Sequence, residues 1–440
     1  MTRVAAAILA FLLVLAPEAL AAAGGGSSGF GGGGGGGGGG FSGGSGGSGG
    51  SLPWWMWVLI VIAVLIGAAY SAIKARRWRK KRDARVLHVR LAAAEAAEDD
   101  AAFAVDHVTR EAAALFRRIQ AAWSREDRKA LHRLCSPELC VEWERRLDDF
   151  AARGWHNKVE VNGDPEVHYV GLVNRADDHD DRVCVFIEAS LTDYVEDDAG
   201  RRIKRNDSTS TTTTLREYWT LSKRNGAWRL LSIEQFGEGD HNLDAEIVAT
   251  PWSDERVRED AVLEGAAADA AGSPADVATL VDLDYAEDGR KAALDLSLVD
   301  GRFAPDVLET SAKRAVAAWA EAVDGPDAAL ERVAAPQAVA QLLYPTGDDA
   351  VRRVVRGPKV NAMTLVRLDG STQPPTMLVE LKLSGRRYLE NRDTVAVVSG
   401  SRESETSWTE RWTFTLDGDD QAPWVVSAVN SAESGAPATR

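Results

Sequence analysis

Cysteine and histidine are scarce in this 440-residue chain, and basic residues are outnumbered by acidic ones. Three cysteines, Cys135, Cys140 and Cys184, are too few and odd in number for a disulfide-stapled fold, so reduced thiols are expected. The net charge is −15, and residues 91–440 alone carry −23. Nucleic-acid binding needs a positive surface that neutralises phosphates, so this composition excludes nucleic acid as a partner.

The patterns of the common catalytic and metal sites are missing as well. Cys135 and Cys140 have no second pair at zinc-site spacing, which favours packing in the core. The acidic run 177–181 lacks the ordered spacing and the glycine of a calcium loop, which favours a solvated turn. The threonine run 209–214 lacks the Gly-x-x-x-x-Gly-Lys context of a phosphate-binding loop. The sequence therefore predicts no metal, no cofactor and no catalytic residue.

The chain does have one long uncharged run, Trp54–Ile73, which can cross the ~30 Å hydrocarbon core of a bilayer as a helix. Tryptophans cluster at its start, as indole rings do at membrane interfaces. We therefore predict a transmembrane helix at 52–73. The basic residues that follow, together with Trp78, are predicted to hold the next domain at anionic lipid, although they can also serve only to set topology. They are Lys74, Arg76, Arg77, Arg79, Lys80, Lys81 and Arg82.

The segment before this run has the features of a secretory signal followed by a linker. Arg3 precedes an apolar stretch, and residues 19–21 have the small-x-small form of a cleavage site. An uncleaved first anchor that makes a membrane hairpin is the alternative. Residues 24–51 are almost entirely Gly and Ser and are expected to be a flexible coil. Both alternatives put this tract outside the plasma (inner) membrane and the later domains in the cytoplasm, because basic flanks stay cytoplasmic.

The remaining sequence predicts two α+β domains of the same plan behind the single transmembrane helix. In each, helices precede a long-stranded antiparallel sheet. Short patterns recur at corresponding places, which indicates two divergent copies of one unit. The corresponding residues are Trp123 and Trp319, Glu217 and Glu410, and Trp219 and Trp412.

One helix is expected from Lys74 to Trp123, joining the membrane run to the first domain. The predicted organisation is a signal peptide at 1–23, a Gly/Ser-rich disordered linker at 24–51, the transmembrane helix at 52–73, a basic and then Ala-rich juxtamembrane helix at 74–102, the first domain at 103–236, a linker with a helix at 237–300, the second domain at 301–432 and a disordered tail at 433–440.

Several short motifs of the first domain belong together. They are Ile119-Gln120-Ala121-Ala122-Trp123, Ser136-Pro137-Glu138-Leu139, Arg153-Gly154 with Asn157, Asp193-Tyr194, and Glu217-Tyr218-Trp219 before Gly226-Ala227-Trp228. In these motifs the first domain resembles the C-terminal domain of the mitochondrial inner-membrane translocase subunit 44 family, in its bacterial form. The second domain matches more weakly, with Arg411 where the first has Tyr218.

This resemblance implies a cone-shaped fold similar to nuclear transport factor 2, with helices against a curved sheet around an apolar pocket. It also implies a membrane-docked domain that tethers protein partners and contacts anionic lipid. The chain lacks the long N-terminal region through which the mitochondrial member engages its chaperone, so the import-motor role is not expected to carry over.

Five residues are candidates for the pocket. Strand alternation puts two glutamates on apolar faces, where a raised pKa would let a carboxylate act as a base. The alternatives are a structural pair with an arginine, such as Arg153 or Arg229, and simple solvent exposure. The candidates are Glu217, Trp219, Trp123, Glu410 and Trp412.

The sequence favours a non-enzymatic, single-pass membrane tether or scaffold. Its expected partners are an anionic phospholipid membrane and an unidentified protein, with a role in membrane protein transport or quality control. One alternative is an enzyme that uses a pocket carboxylate on a hydrophobic substrate. Another is a sensor whose outer Gly tract or span reports the state of the envelope.

Overall fold

A computed structural model describes residues 22–23, 25, 27, 54–204, 211–268, 283–285, 289–325 and 327–431. The predicted signal peptide up to residue 21, most of the predicted linker and the tail from residue 432 lie outside the described residues.

A single helix, α1, runs without interruption over Trp54–Asp99. The chain then turns at Asp100, whose side chain accepts a hydrogen bond from the N–H of Ala102 and opens a 3-10 turn at Ala101–Phe103. The prediction of one helix from Lys74 to Trp123 is therefore wrong. A short acidic side chain can hydrogen-bond to the nearby backbone in place of the next helical turn. At Asp100 this cap ends α1 before the next helix begins.

The first domain places three helices before an antiparallel sheet. Its five strands are ordered β1-β2-β4-β5, with the short β3 paired to β2. The elements are α2 (Val105–Ser124), α3 (Arg128–Leu134), α4 (Pro137–Ala152), β1 (Trp155–Val173), β2 (Arg182–Asp197), β3 (Arg202–Ile203), β4 (Thr212–Arg224) and β5 (Ala227–Gln235).

The second domain repeats this order after a connection that holds α5 (Glu255–Ala268), β6 (Leu283–Tyr285) and α6 (Gly289–Ser297). Its six-stranded sheet has the order β11-β10-β8-β7-β6, in which β6 runs parallel to β7 and β9 pairs with β8. The elements are α7 (Pro305–Ala322), α8 (Ala328–Glu331), α9 (Pro336–Leu343), β7 (Val351–Asp369), β8 (Thr376–Asn391), β9 (Val397–Gly400), β10 (Thr406–Leu416) and β11 (Trp424–Ser431).

The two domains agree in detail as well as in order. The first long strand has 19 residues in both, and the second has 16 in both. Asp300 caps a 3-10 turn through the N–H of Arg302, as Asp100 does in the first copy. The indole N–H of Trp424 donates to the carbonyl oxygen of Arg302 at 2.7 Å, and Trp228 does the same to Ala102 at 3.1 Å. The predicted fold class, two tandem α+β domains, is confirmed.

Helix α1 is fixed to the outer face of the first sheet by Trp78. Its ring meets Phe186 and Phe236 edge-on at 5.0 and 4.8 Å, and its Nε1–H donates to Asp240 Oδ1 at 2.9 Å. The guanidinium of Arg82 lies 5.2 Å from the same indole. Trp78 therefore contacts the protein's own sheet, and its role at anionic lipid stays a prediction. Half-buried aromatic clusters of this kind stabilise docking by about 0.5–1.5 kcal/mol per ring pair beyond area burial.

The predicted transmembrane helix at 52–73 is not supported. Among the described residues, none of the helices combines the length and the apolar character that a membrane crossing needs.

Candidate functional site

The two domains meet across a dense layer of buried charge. From α4, Glu142 accepts hydrogen bonds from the Arg392 guanidinium at 2.6–3.1 Å and contacts Arg352 at 3.4 Å. Burial by itself raises the pKa of Glu142, but these arginines outweigh it and the pKa is lowered. The carboxylate is therefore ionised in the folded state near neutral pH and bound across the interface.

A second bridge joins the end of the first domain to the second sheet. Glu238 accepts from Arg356 Nε at 2.7 Å and from the Tyr388 hydroxyl at 2.6 Å. Arg356 also binds Asp324. Burial lowers the pKa of Arg356, but the surrounding carboxylates outweigh it and hold the pKa well above its usual value. Glu234, nearby, has its pKa lowered to about 2 because His241 and Arg356 outweigh its burial.

The backbones also come into close contact here. Gly357 has φ +52°, and a Cβ at this position would lie 2.5 Å from the Cβ of His241. A larger residue at 357 would push the domains apart, so glycine is required for their contact.

The candidate glutamates Glu217 and Glu410 are structural acceptors with matching geometry. Each is buried and accepts the indole N–H of the tryptophan two residues later, at 2.9 Å for Glu217 and 2.8 Å for Glu410. Glu217 also accepts from Gln235 at 3.0 Å, whereas Glu410 binds Arg387 at 3.0 Å. The arginine partner of Glu410 is thus neither Arg153 nor Arg229. Strand alternation places Glu and Trp on one face, which is why they meet.

The other candidates lie in the helix–sheet cores. Trp123 donates to Asn157 Oδ1 at 2.7 Å, and Asn157 donates to Asp193 Oδ1 at 2.8 Å. These three residues belong to the stretches that carry the sequence resemblance, so the structure explains why they occur together. In the second domain Trp319 is equally buried, but its Nε1 has no partner among the described residues. Trp219 and Trp412 pack against helix aromatics, at 5.1 Å from Phe116 and 5.9 Å from Trp319 respectively.

Replacing Glu410 with glutamine is expected to destabilise the chain by about 1.5–3 kcal/mol, because a fully buried charge-assisted acceptor of Arg387 is lost. Urea unfolding followed by tryptophan fluorescence would measure this. Glu380→Gln is the matched control, since its pair with Arg411 is largely exposed and worth about 1 kcal/mol or less. Equal effects of the two substitutions would contradict the structural role of Glu410.

Glu217 lines a cavity of about 70 Å³ between the domains, which leaves space for a few water molecules but not for a substrate-sized ligand. The wall is strongly charged on both sides. It includes Glu138, Glu142, Arg146, Glu238, Asp324, Arg352, Arg356, Glu390 and Arg402. Of the five pocket candidates, Glu217 is the one that faces this cavity.

The end of the predicted signal peptide and the start of the predicted linker enter the same region. Ala22, Ala23, Gly25 and Ser27 are buried in the first domain. The prediction of a free coil from residue 24 on therefore fails for its described residues. These contacts also put the start of the linker on the same side of any membrane as the first domain, contrary to the predicted topology.

The acidic run 177–181 is only partly the solvated turn that the sequence predicts. Asp181 is buried and, with Asp178 and Asp100, surrounds the ammonium of Lys223. The carboxylate oxygens of these three aspartates lie within 4.8 Å of one another. Burial lowers the pKa of Lys223, but the aspartates outweigh it and raise the pKa. A lysine cation thus takes the central place in this cluster.

The three cysteines are free and buried, as predicted. Burial is the main cause that raises the pKa of the Cys135 and Cys184 thiols, so neither ionises near neutral pH.

The chain consists of two α+β domains in tandem. Each domain packs three helices against a β-sheet, and α1 docks on the sheet of the first domain. Residues 89–235 match the family described as the Tim44-like domain, so the chain contains a Tim44-like domain and the resemblance seen in the sequence is confirmed. Tim44-like domains in general interact with proteins or membranes, and their presence implies membrane association.

Two solved structures are similar to parts of the chain. The crystal structure of the intermembrane space region of the chloroplast protein ARC6 has 11% identity and a TM-score of 0.21, and covers 29% of this chain and 95% of its own. An NTF2-like protein involved in plasmid conjugation has 7% identity and a TM-score of 0.18, and covers 74% of this chain and 94% of its own. No curated protein matches the chain.

Proposed function

We propose that this protein is a membrane-associated binding scaffold whose first domain is held at an anionic lipid surface by α1. The observation that supports this most is the docking of α1 on the sheet through Trp78, directly beside an exposed group of basic residues. The position of these charges relative to the domain is therefore fixed. The exposed members are Lys74, Arg76, Arg77, Arg79 and Lys80, together with Lys81, which pairs with Asp244 and is left out of the test below.

The part of α1 before these charges exposes large apolar side chains. Leu65, Ile66 and Tyr70 are 63%, 64% and 69% exposed. Apolar surface of this extent marks a contact with lipid or protein. Because basic residues follow within one turn, we favour lipid: the apolar end enters the bilayer and the charges lie at the headgroups. The proposed location is the cytoplasmic face of the plasma (inner) membrane.

Changing the five exposed basic residues to glutamine should weaken membrane binding strongly. Each is worth about 1 kcal/mol near an anionic surface, so the lipid concentration at half-maximal binding should rise at least about 100-fold. Flotation of the full chain, diluted from detergent into vesicles with and without anionic lipid, would measure it. The effect should disappear in neutral vesicles.

A matched control removes five exposed charges from the helical part of the first domain instead, four on helices and one in the turn between two of them: Arg110, Arg118, Arg125, Lys129 and Arg133. This variant has the same net charge and should bind like the wild type. If both variants lose binding equally, net charge governs association and the proposed surface is wrong.

Binding rather than turnover is the second element of the proposal. The buried carboxylates of Glu217 and Glu410 are used as acceptors by tryptophan side chains. The cavity beside Glu217 is too small for a hydrophobic substrate. Both observations support a scaffold over the enzyme alternative. Its protein partner would meet two domains that buried ion pairs hold together as one body.

A further inference from the structure

A short segment where the predicted signal peptide meets the predicted linker turns back on itself inside the first domain. The N–H of Gly25 donates to the carbonyl oxygen of Ala22 at 2.7 Å. Ala22 and Ala23 are each only 1% exposed. We propose that the first domain contains a binding site for a turn of small residues, and that the chain's own Ala22, Ala23, Gly25 and Ser27 occupy it.

The segment is recognised mainly through its backbone. The N–H of Ala23 donates to Oε1 of the buried Gln120 on α2 at 3.0 Å. At the other end, the hydroxyl of Ser27 donates to the carboxylate of Asp149 on α4. Two helices of the domain therefore hold the two ends of the turn. A backbone contact of this kind does not depend on the side chain of the ligand. Any preference for particular residues must therefore come from the volume that the site leaves for their side chains.

The limited volume of the site favours small side chains. Both alanines belong to the core of the first domain, and Ala23 faces the 70 Å³ cavity together with Leu139 and Trp143. A side chain as large as tryptophan exceeds the space that this cavity leaves and would have to displace aromatic or charged neighbours, at a typical cost of about 1–3 kcal/mol. The described residues of the segment are all small: two alanines, a glycine and a serine.

The wall of the site also offers hydrogen-bond donors suited to a peptide. Gln120 Nε2 and Trp143 Nε1 are both buried and have no partner among the described residues. A buried donor without an acceptor costs about 1–3 kcal/mol. The described residues of the segment do not accept from these two donors, which stay available to backbone carbonyl groups of a further stretch of peptide. An acyl chain has no such acceptors.

Occupation by this segment has a topological consequence. If residues 52–73 crossed a bilayer, residues 22–27 would lie on the side opposite the first domain and could not reach Gln120. The proposal thus requires the start of the linker and the first domain to share one side of the membrane. This requirement makes the occupant testable in the full chain.

Disulfide trapping tests the contact directly. In the full-length Ser27→Cys/Asp149→Cys protein in membranes, mild oxidation should produce a disulfide within one chain. Ser27→Cys/Asp148→Cys is the matched control, because Asp148 is exposed and pairs with Arg128. We expect the first pair to cross-link at least about tenfold faster, read by mass spectrometry of the linked peptides. Equal rates, or a disulfide only between chains, would overturn the proposal.

A second measurement does not depend on replacing Asp149. With Ser27→Cys alone, the buried thiol should react slowly with a maleimide. Adding Ala23→Trp should expel the segment and speed labelling about tenfold or more, whereas Ala84→Trp on the exposed side of α1 should not. Fast labelling of Ser27→Cys in the absence of Ala23→Trp would contradict the proposal. Both readouts are independent of lipid composition, so they separate this proposal from the membrane role.

Discussion

Replacing Arg356 with alanine is expected to cost about 3–5 kcal/mol of unfolding free energy, which is a large share of a typical domain's stability. Arg356 is 8% exposed and lies between Glu238, which follows the last strand of the first domain, and Asp324 of the second domain. Its removal leaves both carboxylates without their cation, and the cost of that uncompensated charge is much larger than the net value of the pair.

The same substitution should loosen the domains from each other. Urea unfolding followed by circular dichroism would give the free energy, and limited proteolysis of the 237–300 connection would report separation. Arg411→Ala is the control, because the Arg411–Glu380 pair is exposed and belongs to one domain. A loss no larger than that of Arg411→Ala, about 1 kcal/mol or less, would contradict the proposed role of Arg356.

Replacing Lys223 with methionine should have the second large effect. The ammonium, which is 7% exposed at the side chain, is the shared partner of Asp100, Asp178 and Asp181. Methionine keeps the apolar stem but leaves three neighbouring carboxylates unneutralised. We expect a loss of about 3 kcal/mol, less than the largest buried-pair losses because Asp178 is well exposed.

Calcium should restore part of the lost stability of Lys223→Met. Three carboxylates whose oxygens lie within 4.8 Å of one another suit a hard cation once the ammonium is gone. Differential scanning calorimetry with and without millimolar CaCl₂ would show a rise in Tm for the variant and none for the wild type. An equal response of both proteins would mean that the cluster is not the calcium site.

Local patterns predicted most of the fold. The turn at Asn225 and Gly226, both with positive φ, follows from the preference of Asn-Gly for hairpins. Strand alternation correctly put Glu217 and Trp219 on one face. The repeat was visible because the matching residues keep their spacing in both copies. Each of these signals acts over a few residues or depends on a period, which is what a single sequence displays.

Contacts between distant residues could not be predicted in the same way. Glu142 and Arg392 are separated by 250 positions, and nothing in the spacing of charges indicates that they meet. In the sequence, Lys223 has the features of an ordinary strand lysine. Its contact with Asp181 exists only because the fold brings the acidic turn against this strand. The burial of Ala22 and Ala23 was not predicted because both residues lie at the end of the predicted signal peptide, which is not expected to pack in a folded domain.

The length of helix α1 sets both the distance and the rotation of its apolar end relative to the first domain. From Trp78, where it is clamped to the first domain, to Trp54 the helix rises about 36 Å, at 1.5 Å per residue. Inserting one residue between Ile73 and Trp78 would turn the apolar end by about 100° about the helix axis while adding only about 1.5 Å of length. Inserting a full heptad would nearly restore the angle and add about 10 Å of stand-off. In the proposed membrane-bound state, the number of residues in this helix therefore sets which surface of the first domain faces the lipid and at what height.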